Sequence, residues 1–476
     1  MPSKWIEVPL EALKSPLKSA FSMGPFGSKI KAENFKSHGV PVIKGGNLNG
    51  IYLNESDFDF LDQEKADELS ASKARRLDLV ITHRGTLGQV GLIPESSVYE
   101  EYIVSQSQLK LSFDTNKVDP YYIYYFLRSP IGQARLLSNV SQVGVPAIAQ
   151  ALTSIRNIEI PLPEDREEQS RIVDILRNID NKLVLNHRIN QTVEAMAQAI
   201  FKSWFVDFDP VKAKVAAKQE NRNVLRAAMT AISGKPDAEL NTLPREQFDQ
   251  LAATATLFPD EMEESELGAI PSGWKARPMT DCIEVNPPRT LKKGTSANYL
   301  DMANVPTNSA RAQNVVIREF ASGSKFMNGD TLLARITPCL ENGKTAFVDF
   351  LADGEIGWGS TEFIVLRPKN HLPTSFAYFL CRHPEFRTFA ISQMTGTSGR
   401  QRVPNDCFLG YKVAEPSEAV ASEFERVSGS ALAQIKALDE EAKTLVAIRD
   451  TLLPKLLSGK LTGDTDTERV TPARTV

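Results

Sequence analysis

Cysteine is scarce and badly spaced for chemistry. The 476 residues hold four, Cys282, Cys339, Cys381 and Cys407, all far apart in the second half, so neither a CxxC metal pair nor a disulfide framework is indicated. Four reduced packing thiols are expected. The five histidines form no HExxH helix pair. No stretch approaches the ~20 apolar residues that span a bilayer, and "MPSKWIEVPL" lacks the apolar core of a signal peptide, which points to a soluble, cytoplasmic chain with no membrane partner. A surplus of positive charge is missing too. The net charge of −4 argues against a free-standing nucleic-acid binder, whose counterion release needs a surplus of Lys and Arg.

Basic residues are nonetheless concentrated locally. "SKIKAENFKSHGVPVIK" (28–44) is rich in lysine, "PRTLKK" (288–293) has three basic residues and no acid, and the acids gather in "PDEMEESE" (259–266). Such runs are as readily solvated faces as binding patches. The length and the 42% hydrophobic content suffice for two or three cores.

The second half echoes the first. Trp5 with Pro9-Leu10 matches Trp274 with Pro278-Met279, "RLDLVITHRG" (76–85) matches "NGDTLLARIT" (328–337) with Asp78 facing Asp330, "YYFLRSP" (124–130) matches "AYFLCRHP" (377–384), and "IEIPLPED" (158–165) matches "YKVAEPSE" (411–418). Each half runs from short β-branched segments broken by Gly, Pro and Asn into a stretch of helical periodicity. The order is mixed globule, long helix, mixed globule, long helix, with the helices over roughly 166–205 and 417–458, each about 60 Å long.

Ile172, Ile175, Ile179, Ile189, Val193, Met196 and Ile200 fall on one seam of the first helix, with Lys182 and Asn186 filling its middle. Phe424, Val427, Ala431, Leu438, Leu445, Ile448 and Leu452 do the same in the second, interrupted by Gln434 and Glu441, at a constant offset of 252 (424 − 172 and 452 − 200). A shared heptad phase with polar residues near the middle suits two helices pairing as a two-stranded coiled coil in fixed register. The alternative is two amphipathic helices, each packed on its own domain. Between the halves, residues 207–265 are not repeated; their first part is Ala-rich and helix-prone, and the acidic remainder reads as linker.

Two motifs mimic catalysis. "ITPCLENGKTAF" (336–347) ends like a phosphate-binding loop, but Pro338 stands where its first glycine belongs, and "AFVDFL" continues as strand rather than helix. "NPPR" (286–289) has Arg289 where amino-group methyltransferases place an aromatic, and no glycine-rich turn for a methyl donor precedes it. A proline-stiffened turn explains it. "GTLGQVG" (85–91) aligns with "LENGKTA" and reads as the same β-loop-β turn.

The order of "FKSWFVDFDP" (201–210), "LGAIPSGW" (267–274), "RITPCLENGKTAF" (335–347), "TGTSGRQRVP" (395–404) and "LLPKLLSGKL" (452–461) resembles the specificity subunit of type I restriction-modification enzymes over nearly the whole chain. The resemblance implies an α+β chain with two mixed α/β target recognition domains in tandem, each followed by a long helix, the two helices pairing as an antiparallel coiled coil. The expected boundaries are 1–163 and 266–415 for the recognition domains, 164–206 and 416–462 for the helices, 207–265 for the linker and 463–476 for a disordered tail. It further implies a subunit without catalytic residues or cofactors of its own. Each domain would read one half of a bipartite double-stranded DNA site, and the helices would set the spacer and dock two adenine-methylating modification subunits. S-adenosylmethionine, ATP and Mg would sit on those subunits and on the ATP-driven restriction subunits. Residues 207–265 exceed a minimal link between repeats.

Base reading needs Arg, Lys, Asn and Gln on loops that reach donor and acceptor edges. The candidates are Lys44, Asn47, Arg84, Thr86 and Gln106 in the first globule, and Arg289, Arg335, Lys344, Arg400, Gln401 and Arg402 in the second. Two other classes compete. A stand-alone sequence-specific DNA-binding protein would bind its site tightly as the lone chain, and an enzyme using Lys344 or Asn286 would bind nucleotide or S-adenosylmethionine alone.

Overall fold

The computed structural model describes residues 4–141, 144–397 and 399–461, so the tail expected at 463–476 lies outside the described residues. Of the described residues, those up to 185 together with 441–461 form one compact unit, and those from 186 to 440 form a second.

The first unit contains strands β1 (Trp5–Pro9), β2 (Phe21–Met23), β3 (Val40–Ile43), β4 (Asp59–Leu61), β5 (Lys73–Arg75), β6 (Leu79–Thr82), β7 (Val90–Leu92), β8 (Glu101–Val104), β9 (Gln108–Leu111), β10 (Val140–Ser141), β11 (Ala147–Ile148) and β12 (Glu159–Pro163). One sheet runs β2-β9-β6-β7 and is antiparallel throughout. The other runs β4-β3-β8-β5, with β3 and β8 parallel. "LVIT" in β6 is apolar at successive positions because both faces are covered. Leu79 and Ile81 enter the larger core, and Val80 enters the second one with Ile43, Tyr102 and Val104. "PYYIYYFLR" forms a helix, Pro120–Arg128, started by Asp119 accepting from Tyr121 N and by Pro120 in the first turn; eight of its nine residues are buried. Ile172, Val173 and Leu176 of the first long helix, Arg166–Phe205, and Leu453, Leu456 and Leu457 at the end of the second, Glu418–Leu456, close this core. Asp180 pairs with Arg449 at 3.0 Å and Lys182 with Glu441 at 3.3 Å, so the two helix segments run antiparallel in this unit.

The second unit contains β13 (Met262–Ser265), β14 (Gly268–Pro271), β15 (Lys275–Pro278), β16 (Ile283–Val285), β17 (Ser296–Leu300), β18 (Val316–Glu319), β19 (Ser324–Phe326), β20 (Thr331–Ala334), β21 (Thr345–Phe347), β22 (Gly357–Gly359), β23 (Phe363–Pro368) and β24 (Lys412–Glu415). Its sheets β16-β23-β20-β21 and β18-β17-β22-β19 repeat the first unit's strand orders, and β17 and β22 are parallel as β3 and β8 are. Asp78 accepts from Arg75 N at 2.9 Å and Asp330 from Met327 N at 2.8 Å, which places the same turn 252 residues apart. Phe201, Trp204 and Phe205 of "FKSWF" knot with Phe376, Phe379 and Phe424. Phe205 and Phe424 meet edge to face at 4.9 Å, so the sequence motif closes this core. Asn190 donates to Asp439 at 2.7 Å.

Two expectations change. The buried stripe on the first helix runs through Leu176, Asp180, Leu183, Ala197, Phe201 and Trp204, one position beyond the predicted seam. Ile172 and Phe424 are buried, while Ile175, Ile179, Ile189, Val193, Ile200, Val427, Ala431, Leu438, Leu445 and Leu452 are half-buried. Met196 is 60% and Ile448 44% exposed. Asn186, read as filling the seam, is buried, and so is Asp180, which a pattern of apolar spacing hides, whereas Gln434 and Glu441 are exposed. Second, the segment read as acidic linker is folded. Helices Asp209–Gln219, Val224–Ser233, Asp237–Leu240 and Arg245–Thr256 share a small core around Ala228, Met229, Leu240 and Ala255, followed by the β13-β14 hairpin. Its surface acids masked the spacing of Leu240, Leu243, Phe248 and Leu251. Each long helix runs through both units: 166–185 and 441–456 belong to the first, and 186–205 and 418–440 to the second.

Candidate nucleic-acid interface

In the first unit, three loops converge at one end of the sheets. His83 N donates to Ser107 O at 3.0 Å, Ile148 N to His83 O at 2.9 Å and Gly85 N to Pro146 O at 2.9 Å, tying the β6-β7 loop to the β8-β9 loop and the β10-β11 hairpin. The His83 ring bonds through Nε2 to Gln106 O at 3.1 Å, and burial lowers its pKa, so the neutral ring is favoured. Arg84, Thr86 and Gln106 stand exposed on this framework. Arg84 makes no side-chain hydrogen bond or ion pair among the described residues.

Lys44 follows the same end of β3, because Ser105 N donates to Ile43 O at 3.0 Å, but its ammonium is paired with Asp59 and lies 5.1 Å over the Phe35 ring. Asn47 is no reader in this chain. It is buried, accepts from Lys44 N at 2.9 Å and donates to Asn54 O and Ser56 O, so its amide is consumed in shaping the loop.

The second unit builds the same framework from different residues. Val403 N donates to Arg335 O at 2.9 Å and Thr337 N to Gln401 O at 3.1 Å, and Ile336 bridges Arg402 as Arg84 bridges Ala147. Arg400 is exposed and Gln401 half-buried at the tip. Arg402 chelates Glu362 at 2.7 to 3.0 Å, and that guanidinium holds the Glu362 carboxyl below the usual glutamate range. Arg335 is turned inward, its Nη2 donating to Val403 O at 2.5 Å.

Arg289 and Lys344 do not join this cluster. Arg289, its side chain almost fully buried, bonds Asp330 at 2.7 Å, and Arg367 reaches the same carboxylate at 2.8 Å. Lys344 donates to Met302 O at 2.7 Å, so it secures a loop rather than awaiting a phosphate. Asn286 has a positive φ of 54° and exchanges hydrogen bonds with the Val365 backbone, which accounts for "NPPR" as a strand exit. Sequence reasoning missed His83, whose only signal was its place beside Arg84, and Glu362, which has no predicted reader near it in the sequence.

The exposed set Arg84, Thr86 and Gln106, with Arg400 and Gln401 opposite it in the repeat, offers donors and acceptors of the kind that read base edges. Among the described residues no group of three or more His, Cys, Asp or Glu could hold a metal ion, and no helix is long and apolar enough to cross a membrane.

Residues 23–195 match the family described as the type I restriction modification DNA specificity domain. The HindI specificity subunit of Haemophilus influenzae is 28% identical over 382 residues, covering 76% of this chain and 82% of that one. The EcoAI specificity subunit of Escherichia coli is 30% identical over 165 residues, 33% of this chain and 28% of that one. In fold, the chain is similar to the S subunit of the type I restriction-modification system from M. genitalium, with a TM-score of 0.51 at 15% identity, covering 95% and 96% of the two chains.

Proposed function

Since the chain belongs to the specificity subunits of type I restriction-modification systems, we propose that its two units each read one half of a bipartite, asymmetric double-stranded DNA site. One observation carries this reading: an identical loop framework presents different side chains. Position 84 is a free Arg where position 336, 252 residues on, is Ile, and Ala147 is matched by Arg402 at the equivalent bridge. A scaffold kept constant while its tips diverge is what two unrelated half-sites require.

The long helices set the unread gap and dock two modification subunits. Met196, exposed beside Ala195, Ala199 and Thr192, supplies an apolar surface on the first helix, and Leu185 and Ile448 are exposed in the first unit. S-adenosylmethionine, ATP and Mg belong on the modification and restriction subunits, because the two nucleotide-like motifs are occupied by their own intramolecular bonds. The assembly works in the cytoplasm, where its DNA is.

The test is to reconstitute the chain with its modification subunits and map the methylated adenines. Two short fixed sequences separated by a fixed unread gap are expected. Methylation at a single continuous site would overturn the bipartite reading.

A further inference from the structure

Phe26 is, with Val145 of the β10-β11 hairpin, an apolar side chain left exposed at the loop end of the first unit. In "GPFGSKIKAENF" (24–35), Ile30 and Phe35 pack against the cluster of Val40, Val42, Leu61 and Ile103, whereas Phe26 between them and the sheet is 62% exposed. A single exposed apolar residue is ordinary on a protein surface. What distinguishes Phe26 is its mounting. Gly24 N donates to Gln108 O at 2.9 Å, and a Cβ at Gly24 would lie 1.9 Å from Ser105 O, so only glycine lets the chain lie this close to the β8-β9 loop. Pro25 is buried and fixes the exit direction, and Gly27 turns the chain with φ +65°. The root is clamped and the ring is left outside.

The clamp also sets the place. Phe26 is two residues from Gly24, so its Cα lies within about 7 Å of that anchor. The anchor is the loop that carries Gln106, whose carbonyl is bonded to His83, the neighbour of Arg84. The root of the Phe26 side chain therefore lies beside the loop that carries Gln106, and its ring is exposed there. The second unit offers no counterpart, because β16 is followed by Asn286, Pro287 and Pro288 and then by the buried Arg289.

Resting on the DNA-reading function proposed above, we infer that Phe26 is a specificity-determining residue that packs on the 5-methyl group of a thymine in the half-site read by the first unit. Arg, Thr and Gln address hydrogen-bonding edges in the major groove, and the apolar group displayed there among them is the thymine methyl. An aromatic edge held rigidly beside those readers meets that group without any distortion of the duplex. Cytosine at that position is disfavoured because it leaves the ring facing the vacated methyl site.

The test removes only the methyl. The reconstituted complex with its modification subunits is titrated with duplexes carrying its mapped site, each thymine of the half-site impaired by Arg84→Ala being replaced in turn by uracil. Uracil at one position should weaken wild-type binding about fourfold, the value of one buried methyl-sized group. Phe26→Ala should bind the thymine and uracil duplexes equally, at the wild-type affinity for uracil, while Phe26→Leu keeps part of the preference. Indifference of the wild type to every uracil, or a uracil effect that persists in Phe26→Ala, overturns the inference with the DNA-reading function intact. So does a Phe26-dependent rise in 2-aminopurine fluorescence without a uracil effect, which would mark a wedge between bases. If the wild-type complex does not prefer its site to a scrambled duplex, the DNA-reading function itself fails and the inference with it.

Discussion

Asp330 is fully buried, and Arg289 and Arg367 are the two cations that neutralise it. Arg289→Ala therefore leaves a buried carboxylate short of a partner and should destabilise the protein by about 3 kcal/mol, read as a shift in urea midpoint, with no change in the methylated sequence. A changed motif with unchanged stability would return Arg289 to the readers. The exposed pair Arg402–Glu362 predicts a pH effect of definite sign. The folded Glu362 pKa lies below its unfolded value, so the pair's contribution is present above the ordinary glutamate range and is lost as pH falls through the folded value. The small difference in melting temperature between wild type and Glu362→Gln should shrink as pH falls below the ordinary glutamate range and vanish once pH has passed the folded value. At this scale the sequence was least informative. Arg84 and Arg289 look alike as letters, and only a partner 41 residues away in the chain, Asp330, separates a structural arginine from a free one. Asn47 was equally opaque, because its acceptors at Asn54 and Ser56 depend on how the loop folds back.

The two long helices were visible from their period, which any amphipathic face of forty residues declares. Their buried edge was not, because Asp180 occupies it and the apolar residues one position earlier look like the better seam. Asp180 is held by Arg449 at 3.0 Å, and the positions 252 residues away in the repeat, Leu432 and Ala197, are both buried and apolar. Arg449→Ala alone should cost about 3 kcal/mol or more, while the double variant Asp180→Leu with Arg449→Ala, which copies the repeat, should recover most of it in thermal denaturation. Met196→Asp, at an exposed site, should leave stability within about 0.5 kcal/mol yet reduce capture of the modification subunit in a pull-down. Matched four-residue insertions in both helices, about 6 Å each, should lengthen the unread gap by one or two base pairs in methylation mapping. An active variant with an unchanged gap would remove the helices from that role.

For the whole chain, the repeat was the most legible feature, because an echo of strand, turn and helix in the same order survives the divergence of individual residues. Asp78 and Asp330 were aligned from sequence and make the same turn. The folded insertion at 207–265 escaped for the opposite reason: it has no echo, and its small core rests on a few residues within an acidic surface. The central claim is that one scaffold used twice reads two independent half-sites. Exchanging residues 1–163 for the equivalent segment of a related subunit, reconstituting the complex and mapping its methylated adenines tests it most directly. One half of the motif should change to that of the donor while the other half and the gap stay as they were. A motif altered in both halves would contradict it.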